Sequence, residues 1–357
     1  MTQATALRTA TTDPYEYKYD NKRDNRHDNK HEHERGTGSG AGGGPSLAPQ
    51  VPAPPAHPHA DALHAELASW PTEVGLPRCA GEFRSDRHLD LAVHGWGDAP
   101  AGPGLRAAAK WLLLGRALDE HVEQLRHAGR ADEARRILRG LATAFGPGPD
   151  PDLAGAETGC GAEPGAGPFV RAARGLRADS AALAGPDWTA RHDADFRAHL
   201  ESSLDRLAAT SAVPSVPQYL SHHDRDGAAR CAADWTELAH GAALPEQLHR
   251  HPQLTDLLVR FAHLQYWMRD LAARGPAAAP GGSSLLRAVE VHEGLSGSAA
   301  AGKLAALCAA ELTTFAFLAE GVARGSHWPP RARGHVRALL RFTYAQAHWT
   351  ADAPGRR

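Results

Sequence analysis

The stretch that decides the fold is residues 111–124, Trp-Leu-Leu-Leu-Gly-Arg-Ala-Leu-Asp-Glu-His-Val-Glu-Gln. Its apolar side chains recur every three or four residues, at Trp111, Leu114, Leu118 and Val122. Because an α-helix turns once in about 3.6 residues, these side chains share one face, which packs into a core. The chain around this helix is rich in Ala and Leu and has few β-branched runs, so we expect an all-α fold.

A second face of the same helix carries Gly115, Asp119 and Glu123, one turn apart. Carboxylates at this spacing can converge on one cation. Arg116, however, is within reach of both Asp119 and Glu120, so an intrahelical ion pair on a solvated face is the alternative interpretation. This segment alone leaves both interpretations open.

Residues 214–271 carry an ordered series of short motifs. They are Pro-Ser-Val-Pro-Gln-Tyr-Leu at 214–220, Trp-Thr-Glu-Leu-Ala-His-Gly at 235–241, Leu-Pro at 244–245, His-Pro-Gln-Leu at 251–254 and Tyr-Trp-Met-Arg-Asp-Leu at 266–271. In this order, and together with residues 111–124, they resemble the bacterial class I terpene synthases. The resemblance covers residues 60–357 and implies a class I terpenoid synthase-like helical bundle with a central apolar cavity.

Members of that family ionise a prenyl diphosphate by holding its diphosphate with Mg²⁺, and they then guide the carbocation in an aromatic-lined pocket. The resemblance therefore implies a Mg²⁺ cofactor and, as partner, a small-molecule prenyl diphosphate or terpenoid. It also points to Trp111, Tyr266 and Trp349 as cavity-lining residues, although ordinary core packing explains such side chains equally well.

The first metal motif of the family, Asp-Asp-x-x-Asp followed by Glu, falls on residues 115–120. Gly115 and Arg116 stand where the family has two aspartates, so only Asp119 and Glu120 remain as candidate metal ligands. A guanidinium group at such a site repels a divalent cation. We therefore expect Mg²⁺ to bind poorly here.

The second metal motif, Asn-Asp-x-x-Ser-x-x-Lys-Glu, falls on residues 269–277. Its three ligand positions hold Arg269, Ala273 and Ala277. The remaining acid, Asp270, is not a metal ligand in the family, and it can instead pair with Arg274 one turn further on. Both metal motifs have thus gained an arginine.

Arginine binds phosphate oxygens directly, so Arg116 and Arg269 are candidates for a metal-free diphosphate site. The alternative is that both are remnants held by local ion pairs. The resemblance adds His223 and Arg225, close to the position of a diphosphate-sensing arginine, and Arg356, in the place of a closing Arg-Tyr pair.

Composition excludes some partners. The chain has 39 Lys and Arg against 41 Asp and Glu, a net charge of −2, so no nucleic acid is expected. We expect no membrane, because Glu311 and Glu320 interrupt the most hydrophobic late segment. The four cysteines form no Cys-x-x-Cys pair, which favours reduced thiols in the cytoplasm. A homodimer is compatible with the sequence.

Residues 1–59 are of low complexity and are expected to be disordered, and residues 60–357 form one helical domain. Within it, periodicity predicts helices at 169–183, 188–209, 229–240, 252–274, 284–293, 298–324 and 330–350, with Gly294 and Gly325 as stops.

Three functional hypotheses follow. The first is a terpene synthase-like protein that is impaired or non-standard in Mg²⁺-dependent ionisation of a prenyl diphosphate such as farnesyl diphosphate. The second is a non-catalytic binder of a terpenoid or prenyl diphosphate. The third is a helical interaction protein that retains only the scaffold.

Overall fold

The structure is a computed structural model, which describes residues 47–77, 85–146, 167–208, 213–272 and 284–351. Every regular element in these ranges is helical, which confirms the all-α prediction. After a short 3-10 helix at Ala48–Gln50, the α-helices are, in order, α1 Ala60–Leu67, α2 Trp70–Glu73, α3 Ser85–Gly95, α4 Pro103–His127, α5 Ala131–Ala144, α6 Gly167–Ala184, α7 Pro186–Ala208, α8 Val216–Arg225, α9 Ala228–Ala239, α10 Glu246–His249, α11 Pro252–Ala272, α12 Leu285–Glu293, α13 Gly297–Arg324 and α14 Pro330–Ala351.

The helices predicted from periodicity agree with α6, α7, α9 and α11–α14 to within two residues at each end. Local chemistry sets several of these ends. Ser215 and Gln218 form a capping box at the start of α8, and Ser284 caps α12. Gly294 ends α12 with a φ of 66°, a left-handed conformation that glycine adopts without a steric penalty.

Helix α4 runs through the core and packs closely on α9. Gly104 lies so near α9 that a Cβ atom on it would be 2.3 Å from the carbonyl oxygen of Leu238. Buried alanines on both helices, such as Ala108 and Ala233, keep this contact close. Helices α11, α13 and α14 pack against one another, and α11 and α14 also contact α9.

A break between α8 and α9 at Asp226 and Gly227 brings the chain against α7. A Cβ atom on Gly227 would lie 1.6 Å from the carbonyl oxygen of Asp195, so only glycine fits. Asp226 is buried and accepts a hydrogen bond from the Ala228 backbone N–H at 3.0 Å, which caps α9.

The packed part of the chain reaches back to Leu47, rather than beginning at residue 60 as expected. Leu47 and His57 are buried, and the His57 backbone N–H donates to the carbonyl oxygen of Val93 at 2.8 Å. In the proline-rich segment at residues 51–55, backbone carbonyl oxygens accept hydrogen bonds from side chains of α3 and α14. Amino-acid composition alone does not reveal these hydrogen bonds. The prediction of disorder for residues 1–46 lies outside the described residues.

Helix α13 corrects one expectation from the sequence. By length and composition alone it is long and apolar enough to cross a membrane, despite Glu311 and Glu320. One side of it is core, with Leu304 and Phe315 fully buried, and it packs along α11, α12 and α14. The expectation of no membrane partner stays a prediction.

Candidate functional site

A small pocket lies where α4, α7, α9, α11 and α14 meet. Its apolar wall is formed by Leu112, Phe196, Trp235 and Phe342, and its polar wall by Arg116, Asp119, His199, Gln265, Tyr266 and Arg269. The pocket has a volume of about 40 Å³. A water molecule needs at least about 10 Å³ and small-molecule sites reach about 300 Å³ or more, so this conformation has no room for a prenyl chain.

The polar wall centres on Asp119, the only carboxylate among the residues that line the pocket. Its Oδ2 atom faces two guanidinium groups, with Arg116 Nη1 at 3.8 Å and Arg269 Nη1 at 3.9 Å. Its Oδ1 atom lies 3.2 Å from Nε2 of His199 on α7. We call Arg116, Asp119, His199 and Arg269 the pocket cluster. The structure thus brings together two arginines that are far apart in sequence.

His199 links Asp119 to a second carboxylate, Asp226, which lies between α8 and α9. Its Nδ1 atom lies 3.1 Å from Oδ1 of Asp226, whose Oδ2 accepts from Arg206 at 2.8 Å. Burial alone would lower the pKa of His199, but the carboxylates of Asp119 and Asp226 raise it to about 9. His199 is therefore an imidazolium at neutral pH, fixed between two carboxylates.

The two arginines of the pocket cluster differ in their electrostatics. Burial and the charge of Arg269 together lower the pKa of Arg116 to about 10. Burial also acts to lower the pKa of Arg269, but Asp119 and neighbouring groups outweigh it and raise that pKa. Burial would raise the pKa of Asp119, yet His199 and both arginines hold it well below its usual value. All four groups of the pocket cluster are charged at neutral pH.

Magnesium does not fit the residues of this pocket. Asp119 is its only carboxylate, and two cations face that carboxylate where a metal would sit. Glu120 accepts a hydrogen bond from Gln124 at 3.0 Å on its own helix and does not line the pocket. Throughout the described residues, no three His, Cys, Asp or Glu side chains are grouped so that they could hold a metal ion.

Packing reinforces this misfit at the position of the family's first aspartate. A Cβ atom on Gly115 would lie 3.3 Å from Cη2 of Trp235, which is tighter than most contacts of that kind. The indole ring of Trp235 therefore occupies the space into which a side chain at position 115 would extend. A ligand carboxylate cannot be restored here without moving that ring.

Asp270 of the second motif has a structural role. Its Oδ2 atom accepts hydrogen bonds from the Tyr219 hydroxyl and from the Leu285 backbone N–H, both at 2.6 Å. It thereby ties α8 and α12 to α11. Ala273, Arg274 and Ala277 lie outside the described residues.

Two of the other diphosphate candidates do not line the pocket. Arg225 is exposed and donates to the Ser221 carbonyl oxygen on its own helix. His223 lies between Tyr219 and Tyr266, with ring centroids 4.1 Å from each, and burial lowers its pKa to about 3. It is neutral and so a poor partner for an anion. Arg356 lies outside the described residues.

Of the three aromatic candidates, only Tyr266 lines the pocket. Trp111 is fully buried in the core, where its Nε1 donates to Ser180 at 3.0 Å, and Trp349 donates to the Arg87 carbonyl oxygen at 2.8 Å. Neither ring lines this pocket, because periodicity identifies a buried face but does not say whether that face meets the core or the pocket; that Trp111 and Trp349 line a substrate cavity stays a prediction.

Sequence reasoning missed His199, Arg206 and Asp226. The relevant signal was present: His199 follows the apolar Phe196 by three residues on α7, and an acid at position 226 precedes a glycine at a helix break. Neither signal is specific without knowledge of which helices meet.

Comparison with known proteins places this geometry in a family. Residues 110–314, more than half of the chain, match the family model described as terpene synthase family 2, C-terminal metal binding. No curated protein matches in sequence.

Solved structures share the fold at low sequence identity. The linalool/nerolidol synthase of Streptomyces clavuligerus, in complex with 2-fluorogeranyl diphosphate, is 19% identical with a TM-score of 0.67, over 85% of this chain and 97% of that chain. Cucumene synthase is 20% identical with a TM-score of 0.67, over 85% and 99%. The SVS_A2 protein from ancestral sequence reconstruction is 16% identical with a TM-score of 0.66, over 83% and 87%.

At this identity the structural matches establish the fold, and the family model, which spans residues 115–120 and 269–277, establishes the relationship. The chain belongs to terpene synthase family 2.

Proposed function

We propose that this chain is a terpene synthase family protein impaired in the Mg²⁺-dependent ionisation of prenyl diphosphates such as farnesyl diphosphate. One observation carries the proposal: Arg116 and Arg269 lie 3.8 and 3.9 Å from Oδ2 of Asp119, the only carboxylate that lines the pocket. Divalent cations speed ionisation by stabilising the charge that develops on the leaving group. Two fixed cations beside the only carboxylate exclude that route.

The expected loss of rate follows from the loss of metal ligands. Each 1.4 kcal/mol of lost transition-state stabilisation slows a reaction about tenfold, so a deficit of several kcal/mol slows it at least about a thousandfold. The pocket volume of about 40 Å³ points in the same direction, because a prenyl chain enters only if the aromatic side chains move.

Product analysis tests the proposal. The full chain is incubated with geranyl, farnesyl and geranylgeranyl diphosphate and Mg²⁺, and headspace hydrocarbons and released diphosphate are measured beside cucumene synthase. We expect release at least about a thousandfold slower than in that control. Mg²⁺-dependent release within about tenfold of the control contradicts the proposal.

A matched pair of variants locates the cause. Arg116→Asp combined with Arg269→Asn removes both cations and supplies two ligands of the type the family uses, so calorimetry should detect Mg²⁺ binding that the wild type lacks. Arg225→Asp combined with Arg250→Asn changes the charge by the same amount at two exposed arginines outside the pocket and should bind no Mg²⁺. Equal Mg²⁺ binding by the wild type and the first variant contradicts the assignment.

The same geometry favours the second hypothesis over the third. A non-catalytic binder of a prenyl diphosphate is favoured by the cationic wall of the pocket, which offers an anion site.

Cys231 and Cys308 are buried free thiols, which supports the proposed location in the reducing cytoplasm.

A further inference from the structure

The two arginines of the pocket cluster are unlike the arginines at other helix contacts. Hydrogen bonds of 2.5–3.0 Å to carboxylate oxygens hold the guanidinium groups of Arg177, Arg191, Arg206 and Arg230. Arg116 and Arg269 make no hydrogen bond to any described residue, and their distances to Asp119 exceed hydrogen-bond range. Both side chains line the pocket, and no acceptor among the described residues receives their N–H donors.

We propose that this pocket binds a diphosphate group directly through Arg116 and Arg269, without a divalent cation. The inference rests on the proposed loss of the metal site. A guanidinium fork matches the geometry of phosphate oxygens and forms charge-assisted hydrogen bonds with them. Two such forks facing one carboxylate oxygen supply the positive charge that metal ions provide elsewhere.

The charges around the pocket favour an anion. The cations are Arg116, Arg269, His199 and Arg206, and the carboxylates between them are Asp119 and Asp226. Positive charge therefore exceeds negative charge by two, at a site that is only partly exposed: the side chain of Arg116 is 22% exposed and that of Arg269 is 39% exposed. Two partly buried guanidinium groups that face one pocket bind an anion more strongly than isolated, fully exposed arginines do, because screening by water and salt is weaker.

Asp119 does not block such a ligand, because His199 holds it from the other side. The His199 imidazolium lies 3.2 Å from Oδ1 of Asp119 and is itself fixed by Asp226. When the two guanidinium groups turn to a phosphate, the Asp119 carboxylate keeps a cationic partner. No charge in the cluster is left unpaired.

A further donor and the size of the pocket indicate which part of a ligand is recognised. The side chain of Gln265 lines the pocket, and its buried Nε2 atom has no hydrogen-bond partner among the described residues. The pocket of about 40 Å³ suits a polar head group rather than a prenyl chain. The recognised chemistry is thus the diphosphate group, which inorganic pyrophosphate and prenyl diphosphates share.

Calorimetry in EDTA tests this inference with the full chain. Inorganic pyrophosphate and farnesyl diphosphate are titrated separately into the wild type and into Arg116→Met, Arg269→Met and Arg225→Met. We expect both ligands to bind the wild type in EDTA, and each pocket variant to lower the affinity at least about tenfold. Arg225→Met is the matched control and should bind like the wild type, because Arg225 lies outside the pocket.

Several results overturn the inference. They are the absence of pyrophosphate binding in EDTA, binding that requires Mg²⁺, unchanged affinity in Arg269→Met, and binding of farnesyl diphosphate alone, which would assign recognition to the apolar chain. Circular dichroism and thermal melting verify that the variants fold. If Arg116→Met does not fold, Arg116→Lys serves instead, since it keeps the charge and loses the fork.

The failure of this inference is distinguishable from failure of the proposed function. If pyrophosphate does not bind with or without Mg²⁺, and no diphosphate is released from substrate, the inference falls and the proposed impairment stands. If Mg²⁺-dependent release is fast, the proposed impairment falls whatever the calorimetry shows.

Discussion

Two arginine–carboxylate clusters border α9, and they are built in opposite ways. In the closed cluster, Arg191 donates to Asp234 at 2.9 Å and to Glu237 at 2.7 Å, and the Leu244 backbone N–H and His249 complete the surroundings of Glu237. In the pocket cluster, Arg116 and Arg269 face Asp119 at 3.8 and 3.9 Å without a hydrogen bond. Arg191 uses its Nε and Nη2 atoms within the closed cluster, although its buried Nη1 atom has no partner among the described residues, whereas Arg116 and Arg269 donate to no described residue.

This difference separates two reasons for keeping a buried charge. Both carboxyl groups of the closed cluster are buried, and removing Arg191 would take away the donor to Asp234 Oδ1 and one of the donors to Glu237 Oε2. The pocket cluster holds two guanidinium groups that share one carboxylate, Asp119, and a further anion would reduce the repulsion between them. We infer that the closed cluster serves the fold and that the pocket cluster serves a ligand.

The largest expected effect is on the closed cluster. Arg191→Met should lower the free energy of unfolding by about 3–5 kcal/mol, because it removes the donor to the buried Asp234 Oδ1 atom and one of the donors to the buried Glu237 Oε2 atom. Urea denaturation measures this. Arg250→Met, which removes an exposed pair with Glu246, is the control and should cost at most about 1 kcal/mol. Equal losses in the two variants would show that the closed cluster is not structural.

A smaller effect on stability is expected from His199, which links Asp119 to Asp226 at the start of α9. The pKa of His199 is about 9 in the folded chain against a usual value of 6.5, so its stabilisation is complete below about pH 6.5 and is lost as the pH rises through about 9. The difference in unfolding free energy between wild type and His199→Gln should therefore shrink by about 3 kcal/mol over this range. Urea denaturation at a series of pH values measures it; a difference that stays constant with pH contradicts the assignment of an imidazolium.

Removing either pocket arginine should change stability little. Arg116→Met removes a guanidinium whose charged form is disfavoured by burial and by Arg269, and Arg269→Met removes one whose charged form Asp119 favours; neither breaks a hydrogen bond to a described residue, so the free energy of unfolding should stay within about 1 kcal/mol of wild type. Thermal and urea unfolding check this. A loss of more than about 2 kcal/mol in either variant would place the pocket arginines with Arg191, as structural residues.

The smallest effect is expected at the apolar edge of the pocket. In Gly115→Ala, the gain in helix propensity of about 1 kcal/mol offsets the tight contact with Trp235, so stability should change by less than about 0.5 kcal/mol. Urea unfolding measures this, and tryptophan fluorescence reports whether the ring of Trp235 moves. A loss of more than about 2 kcal/mol would show that this wall of the pocket is as rigid as the core.

The sequence predicted the helices and named Arg116 and Arg269 as candidates for one diphosphate site, and it did so for different physical reasons. The helices follow from local periodicity, which each segment carries by itself. The meeting of the arginines followed from two motifs that the family brings together. His199 and Asp226 belong to no repeating pattern, and their role depends on how α7 meets the break before α9, which is a property of tertiary packing.

The same limit explains where the described residues differ from these expectations. Trp111 lies on a periodic apolar face, but it packs against Phe145 and His192 rather than into the pocket. Residues 47–59 have the composition of a disordered segment, yet carbonyl oxygens there accept hydrogen bonds from His94 and His348. Composition measures how much apolar surface a segment can bury, but it does not record where its acceptors find donors.

Gly227 shows how narrow the tolerance of this arrangement is. With the Asp195 carbonyl oxygen only 1.6 Å from where its Cβ would lie, even a methyl group would push α7 away from the start of α9. His199 and Arg206 lie on α7, whereas Asp226 lies in the break between α8 and α9. Such a displacement would therefore lengthen the distances from the imidazolium and the guanidinium to the Asp226 carboxylate that they share. The absence of a side chain at Gly227 thus sets the distances between Asp226 and its two cationic partners, and the position of His199 beside the pocket depends on them.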